Sequence, residues 1–118
     1  MVIADDSECM RDLLEHALSR VERVKIVGLA ENGAAAIEII DQTSPHLLVL
    51  DLHMPIKNGL EVLKDLNQRE DSPVVAVFTA DSSVTLRENC LSAGAGHYFE
   101  KTQLGDLKDL CKQILLAG

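Results

Sequence analysis

Three short runs of Val, Ile and Leu punctuate the chain without polar alternation: Val2–Ala4, Leu47–Leu50 and Val74–Phe78. Two weaker runs stand at Val24–Ala30 and His97–Phe99. A strand with one wet face alternates apolar and polar residues, so unbroken runs predict strands covered on both sides. Between the runs, apolar positions recur with a helical period of about 3.6 residues. Met10, Leu13, Leu14, Ala17, Leu18 and Val21 form the first stripe, with Ser7 placed to cap it. Ala34, Ala35, Ile37, Ile39 and Ile40 mark a second helix that Gly33 opens, and Leu60, Val62, Leu63 and Leu66 a third. Leu86, Cys90 and Ala93 give a thin fourth stripe that Ser82 is placed to cap. Leu104, Leu107, Leu110, Cys111, Ile114 and Leu115 mark a fifth. Strict β-α alternation implies right-handed crossovers and an α/β, doubly wound parallel sheet.

That architecture locates a site before any motif is read. Ligands of open α/β sheets bind beyond the carboxyl ends of the strands, at the switch point in strand order. Here those ends carry Asp5 and Asp6, Asp51, Thr79 and, just after strand five, Lys101. Three carboxylates, a hydroxyl and an ammonium thus converge on one edge. Only four residues precede Asp5, so strand one is expected to be short.

Size and composition narrow the class. At 118 residues the chain is expected to form one domain, residues 1–118, with no disulfide or metal needed for folding. No repeat, low-complexity tract or linker interrupts it. The longest apolar run is far too short to cross a bilayer, and acids follow Met1 too closely for a signal peptide. Eleven basic against 19 acidic residues leave a net charge of −8, the wrong sign for a surface that neutralises nucleic-acid phosphates. Cys9, Cys90 and Cys111 are odd in number and lack CxxC spacing, which predicts free buried thiols and a cytoplasmic location. His16, His46 and His97 have no ligand spacing and are expected at the surface or a strand edge.

The acids carry the chemistry. At roughly 5 Å, each charged pair among Asp5, Asp6 and Asp51 repels by about 3 kcal/mol at an effective dielectric of 20. Such a cluster either holds a proton through a raised pKa or binds a cation. An all-oxygen set suits Mg²⁺, whereas zinc prefers His or Cys and Ca²⁺ takes more protein oxygens. Asp51 is the natural nucleophile, since an ionised carboxylate attacks phosphorus without a general base. Phosphoryl transfer needs positioning and charge neutralisation, which Mg²⁺, Lys101 and the Thr79 hydroxyl can supply.

With these residues in view, the chain resembles the receiver domain of bacterial two-component response regulators over essentially its whole length. The likeness rests on Asp5-Asp6 and on Asp51-Leu52-His53-Met54-Pro55-Ile56-Lys57-Asn58-Gly59, a D-x-x-M-P-x-x-x-G pattern. It continues through Thr79-Ala80 and the stretch from Gly94 to Lys101. The resemblance implies a flavodoxin-like sheet of order 2-1-3-4-5 and a phosphoacceptor switch that is not an enzyme, although it aids its own phosphorylation and dephosphorylation. It implies that Asp51 takes a phosphoryl group from a histidine kinase or phosphotransfer protein. Asp6 and Asp51 then resemble direct Mg²⁺ ligands, joined by the backbone carbonyl of His53, with Asp5 acting mostly through water. Thr79 and Lys101 resemble the switch hydroxyl and the phosphoryl-binding lysine, and Tyr98 the aromatic that turns inward when the helix 4/strand 5/helix 5 surface switches. His53 and Asp81 flank the mouth in the family's geometry and are expected to tune dephosphorylation. The output partner is left unknown, and neither a membrane nor nucleic acid is expected to bind this domain.

One departure is visible. Many receivers carry proline after the lysine, often with a cis bond, whereas Thr102 follows Lys101 here and predicts a trans peptide. Three other readings compete. The chain could be the receiver half of a longer DNA-binding regulator. An aspartate-dependent phosphatase usually carries a second aspartate two residues after the nucleophile, where this chain has His53. A flavin carrier of flavodoxin type needs a Ser/Thr/Gly-rich phosphate loop, which Asp5-Asp6-Ser7-Glu8 would repel.

Overall fold

The computed structural model describes the backbone of residues 1–117 and the side chains of residues 1–114. The elements run β1 (Val2–Ala4), α1 (Glu8–Leu18), β2 (Gly28–Ala30), α2 (Gly33–Thr43), β3 (Leu47–Leu50) and α3 (Gly59–Asn67). Then come β4 (Val74–Thr79), α4 (Val84–Ser92), β5 (His97–Glu100) and α5 (Leu104–Ala117). The five strands are parallel in the order β2-β1-β3-β4-β5. The doubly wound α/β expectation therefore holds, including the strand order implied by resemblance.

Side-chain alternation sends each strand's residues to two separate cores. Val2, Ala4, Leu48, Leu50, Val75 and Val77 pack with Ala36, Ile40, Val62, Leu63, Leu66 and Cys90, beneath α2, α3 and α4. Ile3, Leu47, Val49, Ala76 and Phe78 pack with Leu14, Leu18, Leu107, Leu110 and Cys111, beneath α1 and α5. Covering both faces explains the unbroken apolar runs. No helix among the described residues is long and apolar enough to cross a membrane.

Helix starts follow their caps. Ser7 Oγ accepts the Met10 N–H, and Asn32 Oδ1 accepts that of Ala35. Asn58 and Glu61 form a reciprocal capping box at α3. The cap of α4 is Ser83 rather than Ser82, because Asp81 Oδ1 takes the Ser83 N–H and the turn closes one residue later.

Other expectations need correction. β2 begins only at Gly28, since its neighbour β1 starts at Val2 and pairs Val2 with Gly28. Leu13 is 49% exposed, because the inward face of α1 is set by Leu14 and Leu18. Ala34 is exposed while Ala36 is buried in its place. Cys9 is exposed in the first turn of α1, unlike the buried Cys90 and Cys111. The side chain of Leu115, and Gly118 altogether, lie outside the described residues.

Candidate functional site

The sheet ladder runs one step past the strands and delivers the charged residues to its carboxyl edge. Asp5 N–H donates to Ala30 O at 3.0 Å, and Asp51 N–H to Ala4 O at 2.9 Å. Lys101 N–H donates to Thr79 O at 2.8 Å. Asp5, Asp51 and Thr79 are the buried polar residues among those described.

Carboxylate oxygens of Asp5, Asp6 and Asp51 lie within 4.8 Å of one another, so the cluster expected from sequence exists. Lys101 Nζ reaches into it, 2.9 Å from Asp5 Oδ2 and 3.7 Å from Asp51 Oδ2. Asp51 Oδ1 accepts the Leu52 N–H at 2.8 Å. Burial, then the neighbouring Asp5 carboxylate, pushes the Asp51 carboxyl above the ordinary aspartate range. The Lys101 ammonium and the amides of Leu52 and His53 pull the other way and do not cancel that rise. One ammonium therefore leaves two buried carboxylates under-neutralised, while Asp6 stands exposed at the rim. Oxygen donors alone, part buried and part open to water, fit a hard divalent cation that keeps some of its waters. Neither His nor Cys belongs to the cluster, as zinc would prefer.

Asp5 is held at every polar atom. Besides its amide bond and Lys101, its Oδ1 accepts the Ser7 N–H at 2.9 Å and its carbonyl accepts Arg11 Nη1 at 2.7 Å. The Arg11 contact was not foreseen. Its signal was a cation in the first turns of α1, on the helix that leaves the acids.

The β4 side forms the other wall. Thr79 Oγ1 accepts the Asp81 N–H at 3.3 Å. Tyr98 is buried, its hydroxyl donates to Asp81 O at 2.8 Å, and the Arg87 guanidinium lies 5.9 Å from its ring centroid. Burial, above all, raises the Tyr98 phenol's pKa. His53 Nε2 stands 3.5 Å from Asp81 Oδ2, mostly exposed, so these two residues do meet at the mouth. The adjoining cleft is lined by Asp6, Leu52, His53, Met54, Pro55, Asn58, Leu60 and Leu86. His16 and His46 are exposed away from it, and His97 stacks on Phe99 with ring centroids 6.1 Å apart. The Lys101–Thr102 peptide is trans, as the absence of proline implied.

Comparison with known proteins follows the same lines. The family model of the response regulator receiver domain matches residues 1–114. A protein-glutamate methylesterase/protein-glutamine glutaminase of Gluconobacter oxydans is 38% identical over 110 residues, covering 92% of this chain and 31% of that protein. The transcriptional regulatory protein YdfI of Bacillus subtilis is 28% identical over 102 residues, covering 86% and 48%. The chain thus spans about half or less of these curated relatives. Among solved structures, the signal receiver domain of the response regulator NarL from Mycobacterium tuberculosis superposes with a TM-score of 0.86 at 28% identity, covering 95% of this chain and 94% of that one. A DNA-binding response regulator of the LuxR family from Staphylococcus aureus gives 0.90 at 22% identity, covering 96% and 95%, a likeness of fold.

Proposed function

The chain belongs to the response regulator receiver domains of two-component systems, and from that premise we propose that Asp51 is its phosphoacceptor. Receiver domains are phosphoacceptor switches that interact with histidine kinases or phosphotransfer proteins. The observation that carries the assignment is the pairing at the sheet edge of a buried, under-neutralised Asp51 with Asp5 and Lys101.

Burial makes the Asp51 carboxylate more basic than a solvated one and so a stronger nucleophile. An Asp51 oxygen forms a bond to the phosphorus of a phosphohistidine as the phosphorus–nitrogen bond breaks. The departing imidazole nitrogen keeps the electron pair, and the product is an aspartyl phosphate. Asp5, Asp6, Asp51 and the His53 carbonyl are the residues that would hold Mg²⁺, which supplies neutralising charge to the phosphoryl oxygens. Lys101 already sits between Asp5 and Asp51, and there it binds a phosphoryl oxygen. The Thr79 hydroxyl donates to another and transmits the event through Asp81 to Tyr98. His53 and Asp81 stand where a hydrolytic water must approach and tune the lifetime of the phosphorylated form. We read the domain as a cytoplasmic switch rather than an enzyme.

The greater length of the curated relatives favours a second, compatible reading. The domain would then regulate an output segment elsewhere in a longer protein, whether DNA-binding or catalytic.

Incubation with a small acyl-phosphate donor and Mg²⁺, followed by intact mass, tests the central assignment. One added phosphate is expected in the wild type and none in Asp51→Asn. Undiminished labelling of Asp51→Asn would overturn it.

A further inference from the structure

Ile56 is in an unusual position for its residue type. Its φ is +69°, in the region that favours glycine and penalises β-branched side chains. The Lys57 N–H donates to the Pro55 carbonyl at 2.7 Å, closing a three-residue turn centred on Ile56. A γ-turn with positive φ at its centre is rare and strained. The Ile56 side chain is 80% exposed, so its own burial offsets little of that strain. The turn lies between Met54-Pro55 and Asn58, which line the site's cleft, and follows His53 by three residues. Something outside the turn must hold it.

Two sets of contacts do so, and both lead to α2. The Gly33 N–H, at the start of α2, donates to the Lys57 carbonyl at 2.9 Å. A Cβ on Gly33 would lie 2.0 Å from that carbonyl oxygen, so only glycine lets the helix come so close. On the other side, Lys57 Nζ donates to Asp65 Oδ2 of α3 at 2.8 Å. Asp65 Oδ1 accepts Arg69 Nε at 3.1 Å, and Arg69 Nη1 bonds Asp41 near the end of α2. The Lys57 hydrogen bond is the chief reason the Asp65 carboxyl stays below the ordinary aspartate range. Lys57 and Asp65 are about 30% exposed, less screened than a fully solvated pair. The ladder Lys57–Asp65–Arg69–Asp41 thus braces the turn from α3 and α2 together.

We propose that Lys57 and Asp65 are positioning residues for the metal site, holding the strained Pro55–Ile56–Lys57 turn so that the preceding His53 carbonyl stays in place. The inference rests on the Mg²⁺ reading above. The strain gives it a distinctive signature. If the ladder acts by holding the turn, a residue that adopts positive φ freely makes the ladder dispensable.

The test is a double-mutant cycle on Asp65→Asn and Ile56→Gly, read by Mg²⁺ titration with phosphate-donor chemistry left out. Asp65→Asn is expected to weaken Mg²⁺ binding three- to tenfold, and the same change in the Ile56→Gly background less than twofold. Hydrogen exchange of the Lys57 amide in metal-free protein should speed up in Asp65→Asn and recover in the double variant. Lys57→Met, which keeps the stem without the charge, should match Asp65→Asn and covers the case in which that variant folds poorly. Equal losses in both backgrounds, or no loss in either, would overturn the proposal. Absence of Mg²⁺ binding in the wild type would instead overturn the metal reading, so the two failures are distinguishable.

Discussion

Val49 and Asp51 stand two residues apart on the path of β3, and both are nearly sealed from water, at 1% and 5% exposure. Val49 packs among Ile3, Ala76 and Phe78 under α1 and α5. Removing its surface from water stabilises the fold by about 1.5–3 kcal/mol. Asp51 is buried almost as deeply, but its burial works against ionisation, and one shared ammonium does not offset that. The same depth therefore has opposite energetic meaning within two residues of chain. The middle of the sheet supplies stability, and its carboxyl edge spends some of it to keep a charged nucleophile away from water.

The largest expected effect lies in the middle. Leu48, on the same strand and fully buried, should cost about 2–5 kcal/mol when truncated to alanine, through lost transfer energy and the cavity left behind. Urea unfolding measures it. A loss under about 1 kcal/mol would mean that the interior relaxes far more than a close-packed core does, and the contrast would weaken.

The edge should respond with the other sign. Asp51→Asn removes a carboxyl that is harder to ionise in the fold than in the unfolded chain, so it is expected to stabilise by on the order of 1 kcal/mol at neutral pH. The pH dependence follows from the direction of the shift. Below the ordinary value of 3.8 the carboxyl is protonated in both states, and its contribution to stability is fully present. Above 3.8 the unfolded chain releases the proton first, so that contribution is lost as pH rises through the folded pKa. The wild type should therefore fall behind Asp51→Asn as pH climbs from about 3 to 8, with no further divergence above the folded pKa. Urea midpoints of both proteins across that range measure the difference, and a wild type that gains on the variant would reverse the sign assigned to the edge.

The two regions also differ in how plainly the sequence announces them. Leu47–Leu50 and Val74–Phe78 read as strands because apolar runs buried on both faces leave little else to be, and Asp51 and Thr79 announce themselves by ending those runs. Sidedness was harder. Leu13 sits within the stripe of α1 yet points outward, since neighbouring positions lie about 100° apart on a helix and Leu14 takes the inward side. The cap at Ser83 rather than Ser82 depends on an Asp81 side chain that either serine could have followed. The brace on the edge was not legible. Nothing in Pro55-Ile56-Lys57 signals positive φ as glycine would, and the ladder joins a loop lysine, acids on two different helices and an arginine past the end of α3, which no one spacing along the chain links. Contacts fixed by tertiary packing against local preference leave no local trace.

The three thiols probe the contrast with no change in stability. Cys9 is exposed in the first turn of α1, beside the edge, while Cys111 lies on α5 in the packed layer with Leu107 and Leu110. Cys90 is the single buried side chain of α4 and packs in the opposite layer. Burial pushes the Cys111 thiol up to about 11, so at pH 8 roughly a thousandth of it is thiolate, before access is considered. Burial raises Cys90 as well. An alkylating reagent at pH 8 should therefore modify one thiol in the folded protein and all three in urea, as counted by intact mass. The order in which the slow pair reacts sharpens the picture. α4 buries one side chain fully and Leu86 only in part, so local opening should expose Cys90 before Cys111. If Cys111 reacted first, or as fast as Cys9, the layer under α5 would be opening more readily than α4. The firmness assigned to the strand residues that this layer covers, Val49 among them, would then have to be withdrawn.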